Sequence, residues 1–471
     1  WDSQDVVLED VDRIEVIRGP GGTLWGANAV NGVINIITKS AAETQGTLVS
    51  LTAGNEVKGI GTVRHGGRMK NGMDYRVYVK INSYDSGYNP DGAHDDWRTG
   101  QLGFRTDWVK TERDTVTFQG DYYRGVAGQL VNIPSGPPGP PPTTVIPTVS
   151  DTDTDGGNLL FRWSHILENN SNFALQLYYD HVGLDGAVLF EDRDTFDVDF
   201  QHHFNWREKH DIVWGFDYRH TRDNTENNPT FSLDPSARSV NLYGTFIQDE
   251  YSLREDLRLT AGIKLEHNDF SGFEYQPNVR LAWAFDPSQT LWGSVSRAVR
   301  TPSRGEHDVQ LRLVPPADND PGIPVYAEGN SDYDPEDLIA YELGWRFNHR
   351  NAWSLDVAGF FNDYDKLRTL DGSPDPGPPP SVGFPFDNNM TGNTYGVEFA
   401  GQWKVRNGWR LNATYSWLNM DLRLENGSMD TASQGAEDAS PVNKAAIWSA
   451  HDFGNNLQFD AALRYVGDIE V

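Results

Sequence analysis

From Gly46 onward, apolar and polar positions alternate in stretch after stretch of about ten residues, the length a tilted membrane strand needs. In Tyr75 to Tyr84, one face carries Tyr75, Val77, Val79 and Ile81 and the other carries Arg76, Tyr78, Lys80 and Asn82. In Leu257 to Glu266, Leu257, Leu259, Ala261, Ile263 and Leu265 alternate with Arg258, Thr260, Lys264 and Glu266. The same order recurs at Ile212, Trp214, Phe216 and Tyr218, at Tyr341, Leu343, Trp345 and Phe347, and at Leu457, Phe459, Ala461, Leu463 and Tyr465. A period of two puts each set on one side of a pleated sheet, so these segments are expected as strands. A soluble sandwich alternates as well. Here, however, the polar face repeatedly carries Arg, Lys, Glu and Asp in mid-strand, which suits a wet lumen with the apolar set turned to lipid.

The connections carry a second pattern. Short polar turns fall near Met69 to Gly72, Lys110 to Arg113, Glu168 to Asn172, Trp206 to Lys209 and Leu253 to Asp256. They continue at Asp286 to Ser288, Asn348 to Asn351, Lys404 to Gly408 and Phe453 to Asn455. Mostly longer connections lie between them: Asp85 to Asp96, Val126 to Gly156, Gly183 to Phe190, Thr221 to Arg238, Arg300 to Asp337, Arg368 to Thr391 and Asp421 to Ser440. Short and long alternate with constant parity, as in outer-membrane barrels with short periplasmic turns and long external loops. The fold class is therefore all-β, a transmembrane antiparallel β-barrel. Counting from Gly46 gives roughly nineteen strands, an odd number, where a single-chain bacterial barrel is even. A barrel of about 22 strands, the plugged-transporter size, would need about three more. An open edge in lipid leaves backbone groups unsatisfied. The barrel, residues 46–471, is thus expected to lack about three C-terminal strands.

Composition agrees. No run approaches the ~20 apolar residues of a membrane-spanning helix, and Val30 to Thr38, the most apolar, is broken by Asn31, Gly32 and Asn35. Aromatics make up 12% of the 471 residues, as expected where aromatic girdles mark both membrane interfaces. A net charge of −29 argues against a nucleic-acid partner, whose phosphates demand basic grooves. No Ser-His-Asp set or carboxylate pair at an interpretable spacing suggests an enzyme.

The N-terminal stretch Asp10 to Lys39 reads DVDRIEVIRGPGGTLWGANAVNGVINIITK. Arg13 to Arg18 is expected as a short strand and Gly19-Pro20-Gly21-Gly22 as a tight turn, with Gly supplying positive φ. Gly26, Asn28 and Gly32 punctuate a second turn, and Val33 to Thr38 forms a second strand. The glycine cluster lacks the Lys-Ser/Thr pair and following helix of a phosphate loop. As an ordered string, Arg13-Ile14-Glu15-Val16, Arg18-Gly19-Pro20, Trp25-Gly26, Asn28-Ala29 and Gly32 to Thr38 closely resemble the closing part of the plug domain of TonB-dependent outer-membrane receptors. Later echoes are Ser296-Arg297-Ala298 with Arg300-Thr301-Pro302-Ser303, Asp334-Pro335-Glu336 followed by Tyr341-Glu342-Leu343-Gly344, and Asn393 to Glu398.

The resemblance implies an α+β plug, here its C-terminal part at residues 1–42, seated in the barrel of a bacterial outer membrane. It implies binding and gated passage of a scarce nutrient, typically a ferric siderophore, haem or cobalamin, with no cofactor. Energy would come from TonB, acting through an N-terminal box that precedes Trp1 in the family, and the barrel would contact outer-membrane lipid. Arg13, Glu15 and Arg18 are the expected plug charges, with Arg258, Lys264, Glu266, Glu342 and Arg346 as their expected partners on the barrel wall. The alternative class is a passive porin-like channel or adhesin, which carries no such N-terminal segment.

Ligand candidates lie in the long late loop: Arg304, His307 beside Glu306 and Asp308, and Tyr326. A haem receptor would use such a histidine as axial ligand, but the accompanying loop motifs are absent. Asp151, Asp153 and Asp155 open like a calcium loop, yet the twelfth position is Arg162, where a bidentate Glu belongs. A looser acidic calcium site there is the remaining metal candidate, against a solvated acidic loop. Pro134 to Pro147 is proline-dense and expected to be extended.

Overall fold

The computed structural model describes residues 5–88, 92, 94–135, 144–313, 325–350, 352–375, 381–454 and 456–469. The N-terminal segment holds β1 (Val11–Arg18), a one-turn helix α1 (Gly22–Trp25) and β2 (Gly32–Thr38). A two-stranded antiparallel sheet pairs Ile14 with Ile36 and Arg18 with Gly32. A 3-10 turn, Ala41–Thr44, leads to the wall.

The wall begins with β3 (Gly46–Thr52), β4 (Val57–Arg68), β5 (Asp74–Tyr84), β6 (Trp97–Val109), β7 (Asp114–Ser135) and β8 (Thr144–Ile166). It continues through β9 (Asn172–Asp185), β10 (Phe190–Trp206), β11 (His210–Glu226), the short β12 (Phe231–Leu233) and β13 (Ala237–Arg254). Next come β14 (Leu257–Asn268), β15 (Gly272–Asp286), β16 (Gln289–Arg300), helix α2 (Arg304–Asp308), β17 (Val309–Leu313) and β18 (Val325–Glu328). The last are β19 (Glu336–His349), β20 (Trp353–Leu370), β21 (Ser373–Asp375), β22 (Ser381–Arg406), β23 (Trp409–Leu424), β24 (Asn443–Asp452) and β25 (Gln458–Val466). Leaving out β1, β2 and the short β12, β17, β18 and β21, nineteen strands form one antiparallel meander. The order curls into a barrel with β25 brought round next to β3. Among the described residues, β25 carries a register only with β24 and β3 only with β4, and all of β25 is exposed.

The alternation gives an inside-out protein. Leu51 is 82% and Ile81 61% exposed on the outer face, whereas Arg76 at 5%, Lys80 at 7% and Lys264 and Glu266 at 5% are buried on the inner one. The faces expected for Tyr75 to Tyr84 and Leu257 to Glu266 are those observed. The small apolar core sits between segment and wall: Ala298, Leu338 and Ala340 of β16 and β19 pack with Val30 and Tyr364.

The long connections differ from expectation. Val126 to Gly156 is mostly ladder, because β7 and β8 pair out to Ser135 and Thr144 and so extend the wall; residues 136–143 lie outside the described residues. Asp151, Asp153 and Asp155 therefore stand on a strand, not in a loop, and alternation sets all three on its exposed face. Three other connections, 221–238, 300–337 and 368–391, zip together. Strand β12 pairs with β17, β17 with β18, β18 in parallel with the start of β22, and β22 with β21. Edge pairing satisfies backbone groups that isolated loops would leave to water.

Candidate functional site

The N-terminal segment crosses the lumen and is pinned at both ends. At the β4–β6 side, the Lys80 ammonium lies 2.5 Å from the Asp5 carboxylate and donates to the Val6 carbonyl at 2.9 Å, and Asn82 donates to Asp5 at 2.9 Å. Asp10 sits between two guanidinium groups, hydrogen-bonded to Arg64 and with Arg76 Nε 3.4 Å from its Oδ2. Arg76 also donates to the Lys39 carbonyl at 2.7 Å, Arg105 donates to Thr38 Oγ1 at 3.0 Å, and the Ala41 N–H donates to Asp107 at 2.7 Å. Neither Asp5 nor Asp10 was singled out from sequence. The available signal was the basic polar face of β5, where Arg76 and Lys80 alternate with valines.

On the opposite wall the glycine turns make the contacts. Gly26 has φ +73°, and a Cβ there would meet Glu266 Oε1 at 2.5 Å. The missing side chain lets the Ala27 N–H donate to Glu266 at 2.7 Å, and Gln276 donates to the same carboxylate at 2.6 Å. Gly19, φ +68°, approaches Glu342 in the same way. Asn28 donates its main-chain N–H to the Val299 carbonyl at 2.8 Å and exchanges side-chain bonds with Thr301. Tyr364 donates to Asn31 Oδ1 at 3.1 Å. The expected charges divide. Arg18 pairs with Glu398 at 2.5 Å, while Arg13 and Glu15 pair with each other at 2.7 Å and not with the wall. Of the expected partners, Glu266 holds the segment directly and Lys264 supports it through Asp217 at 2.8 Å and Glu266 at 3.5 Å. Arg258 and Arg346 instead bind Glu250 and Asp356 within the wall. Pro20 is half-buried in its turn, Trp25 is exposed, and Gly32 ends the β1–β2 ladder opposite Arg18.

Two cavities flank the Asn31–Tyr364 contact. One, of about 740 Å³, lies between β1 and the β15–β22 wall and is lined by Arg18, Glu342, Arg346 and Asp356 among others. The other, of about 620 Å³, faces the long connections and is lined by Asn31, Arg300, Glu336, Tyr364, Arg368 and the apolar Leu367, Met390, Met420 and Leu422. This second cavity forms a vestibule beside the long connections. Its rim is fixed by Asp371, which accepts from Thr369, Asn389, Ser428 and the Met429 N–H. Burial alone would raise the Asp371 carboxyl, but those donors together outweigh it and hold the pKa down to about 2.

The loop candidates do not line the vestibule. Ser303 caps α2 and bonds Glu306 reciprocally. Arg304 joins α2 to Asp223 and bonds Asp308 one turn on within α2 at 2.9 Å, and His307 Nδ1 lies 2.7 Å from Asp308 and 3.1 Å from Arg238. Burial pushes the Asp308 carboxyl up, but hydrogen bonds from Arg238, His307 and Arg304 win and lower it. Arg304 and His307 thus brace the loop. Tyr326 lies half-buried in the cross-loop sheet opposite Arg312. Among the described residues, the group with metal-ligand spacing is His181, Asp192 and Asp194 on β9 and β10, not the Asp151–Asp155 run. There Tyr179 and His181 both bond Asp194, at 2.6 and 3.0 Å.

A family model described as TonB dependent receptor-like, beta-barrel matches residues 59–470. The chain is 25% identical over 395 residues to the iron-regulated outer membrane virulence protein of Vibrio cholerae, covering 76% of this chain and 54% of that one. It is 26% identical over 434 residues to the ferric enterobactin receptor of Pseudomonas aeruginosa, covering 77% and 56%. The crystal structure of the siderophore receptor PirA from Pseudomonas aeruginosa superposes with a TM-score of 0.75 at 17% identity, covering 98% of this chain and 79% of that one. The chain therefore spans about half the length of the curated relatives it matches.

Proposed function

Because the chain belongs to the TonB-dependent receptor β-barrel family of the bacterial outer membrane, we propose that it serves energised nutrient uptake, with a ferric siderophore as ligand. The ligand would enter the vestibule above Asn31 and contact Arg300, Tyr364, Arg368 and the apolar wall of Met390, Met420 and Leu422. Residues through 42 would act as the end of the plug, and TonB, pulling on sequence upstream, would shift it to pass the ligand. One observation carries this reading: a segment that crosses the lumen and is held there by polar contacts and ion pairs, not by a large apolar core. Polar contacts in a wet lumen exchange for water at little net free energy, so such a segment can be moved by force. An apolar plug of the same size would resist. The relatives named for iron regulation and ferric enterobactin favour an iron chelate.

The second reading, a passive channel, is disfavoured by the same segment, because it obstructs the lumen. The test is ligand-dependent quenching of the tryptophan fluorescence of the full-length protein in detergent, against ferric siderophores, haem and cobalamin. Sub-micromolar quenching by a ferric siderophore and none by its iron-free form is the expected outcome. Silence across the panel, with steady ion conductance in planar bilayers, would replace the proposal by the passive channel.

A further inference from the structure

Resting on the vestibule as the ligand site, a narrower conclusion concerns the charge of what it accepts. Both guanidinium groups that line the cavity are already matched. Arg300 donates to Glu306 at 3.0 Å, to Glu336 at 2.7 Å and to the Tyr333 hydroxyl at 2.9 Å. Arg368 stands 3.5 Å from Glu306 and over the Phe386 ring, 5.7 Å from its centroid. The neighbouring Lys366 is held by Asp334 at 2.6 Å. Two further carboxylates at the rim, Asp371 and Asp430, take their bonds from neutral donors only: hydroxyls, an amide and main-chain N–H groups. Among the described residues, then, the vestibule and its rim hold more carboxylates than cations, and each cation named here has a carboxylate within 4 Å. The rest of the lining is uncharged: the apolar Leu367, Met390, Met420, Leu422, Ala432 and Ala436 beside Asn31, Tyr364, Thr394 and Ser433. The chain as a whole is acidic, at −29.

A polyanion entering this space would shed water without gaining a free cation, and would meet the field of unmatched carboxylates. We infer that the vestibule selects a ferric chelate with an uncharged or positive shell and an apolar body. A tris-hydroxamate meets this condition, since three singly charged donors neutralise the ferric ion. A tris-catecholate does not, since its doubly charged donors leave the complex triply negative.

The test is calorimetric titration of the full-length protein in detergent with three chelates: a ferric tris-catecholate, a neutral ferric tris-hydroxamate, and a tris-hydroxamate bearing a free ammonium group. Each is measured at about 20 mM and about 500 mM NaCl, where the screening length falls severalfold. Both hydroxamates should bind at least about tenfold tighter than the catecholate at low salt, and the gap should narrow as salt rises. Glu336→Gln, which releases Arg300 from one of its carboxylates, should move the preference at least about fivefold toward the catecholate. Tightest binding by the catecholate at low salt, or a gap indifferent to salt, would overturn the charge selection while leaving the receptor reading intact. Silence from all three chelates would sink the receptor reading and this inference with it.

Discussion

Asp10 is the most consequential single contact between the lumen segment and the wall, and Asp10→Asn tests it. The change keeps the shape of the side chain and removes its charge. Asp10 is almost wholly buried, as are its partners Arg64 and Arg76. At 3.4 Å and an effective dielectric constant of about 20, the Arg76 contact alone has a gross Coulomb energy of about 5 kcal/mol. Desolvation of the carboxylate offsets part of this. What remains after substitution is two buried guanidinium groups that have lost their shared counter-charge, for which a loss of about 3–5 kcal/mol is typical. The lower end applies, because Arg76 keeps its bond to the Lys39 carbonyl. At 1.36 kcal/mol per decade, about 3 kcal/mol raises the open population of residues 5–10 roughly a hundredfold. The chain has no cysteine, so Val7→Cys, at a buried position next to this latch, gives a clean reporter. The rate of maleimide labelling of V7C, with and without D10N, reads that population directly while opening is in fast pre-equilibrium. Asp12→Asn is the control, since Asp12 is exposed and, among the described residues, pairs only with Arg13. Labelling of D10N within twofold of the parent, or an equal response to D12N, would refute the argument that the buried triad holds the segment.

Four further outcomes follow from the structure. Arg18→Ala should speed labelling of V7C less than about fivefold, because the Arg18 side chain is 57% exposed and such pairs contribute about 0.2–1 kcal/mol. Gly26→Ala should disturb the segment more than Arg18→Ala does, since φ +73° with ψ −155° is a backbone conformation essentially restricted to glycine that costs a Cβ-bearing residue about 1–3 kcal/mol, and the new carbon displaces Glu266 from the Ala27 N–H; proteolytic nicking near Trp25 would report it. On the lipid face, Val79→Arg, among Val63, Val77 and Leu102, should lower the stability of the vesicle-inserted barrel by about 2–4 kcal/mol in urea titration. For pH, the Asp371 carboxyl is held at about 2 against an ordinary 3.8, so its contribution to rim order is complete above pH 3.8 and disappears as pH falls through about 2. Hydrogen exchange at Met429 and Asp430 should rise over that interval, and Asp371→Asn should abolish the step.

Much of this protein was legible along the chain. The face each strand turns outward follows from its own residues at i and i+2, so Val77, Val79 and Ile81 declared the lipid side and Arg76 and Lys80 the lumen without reference to any neighbour. The short turns could be placed for the same local reason, and the ordered string from Arg13 to Thr38 carried the family. Tertiary structure decided what distance in sequence conceals. Arg18 meets Glu398 across 380 positions and Asp10 meets Arg64 across 54. Those partners are set by how the barrel curls and how deep the segment sits. Arg304 and His307 have the chemistry of ligand groups, but the fold brought the distant Asp223 and Arg238 against them and made them braces. The Asp151 to Asp155 run has the composition of a loop, yet cross-strand hydrogen bonding to β7 and β9, which no local propensity encodes, drew it into the wall.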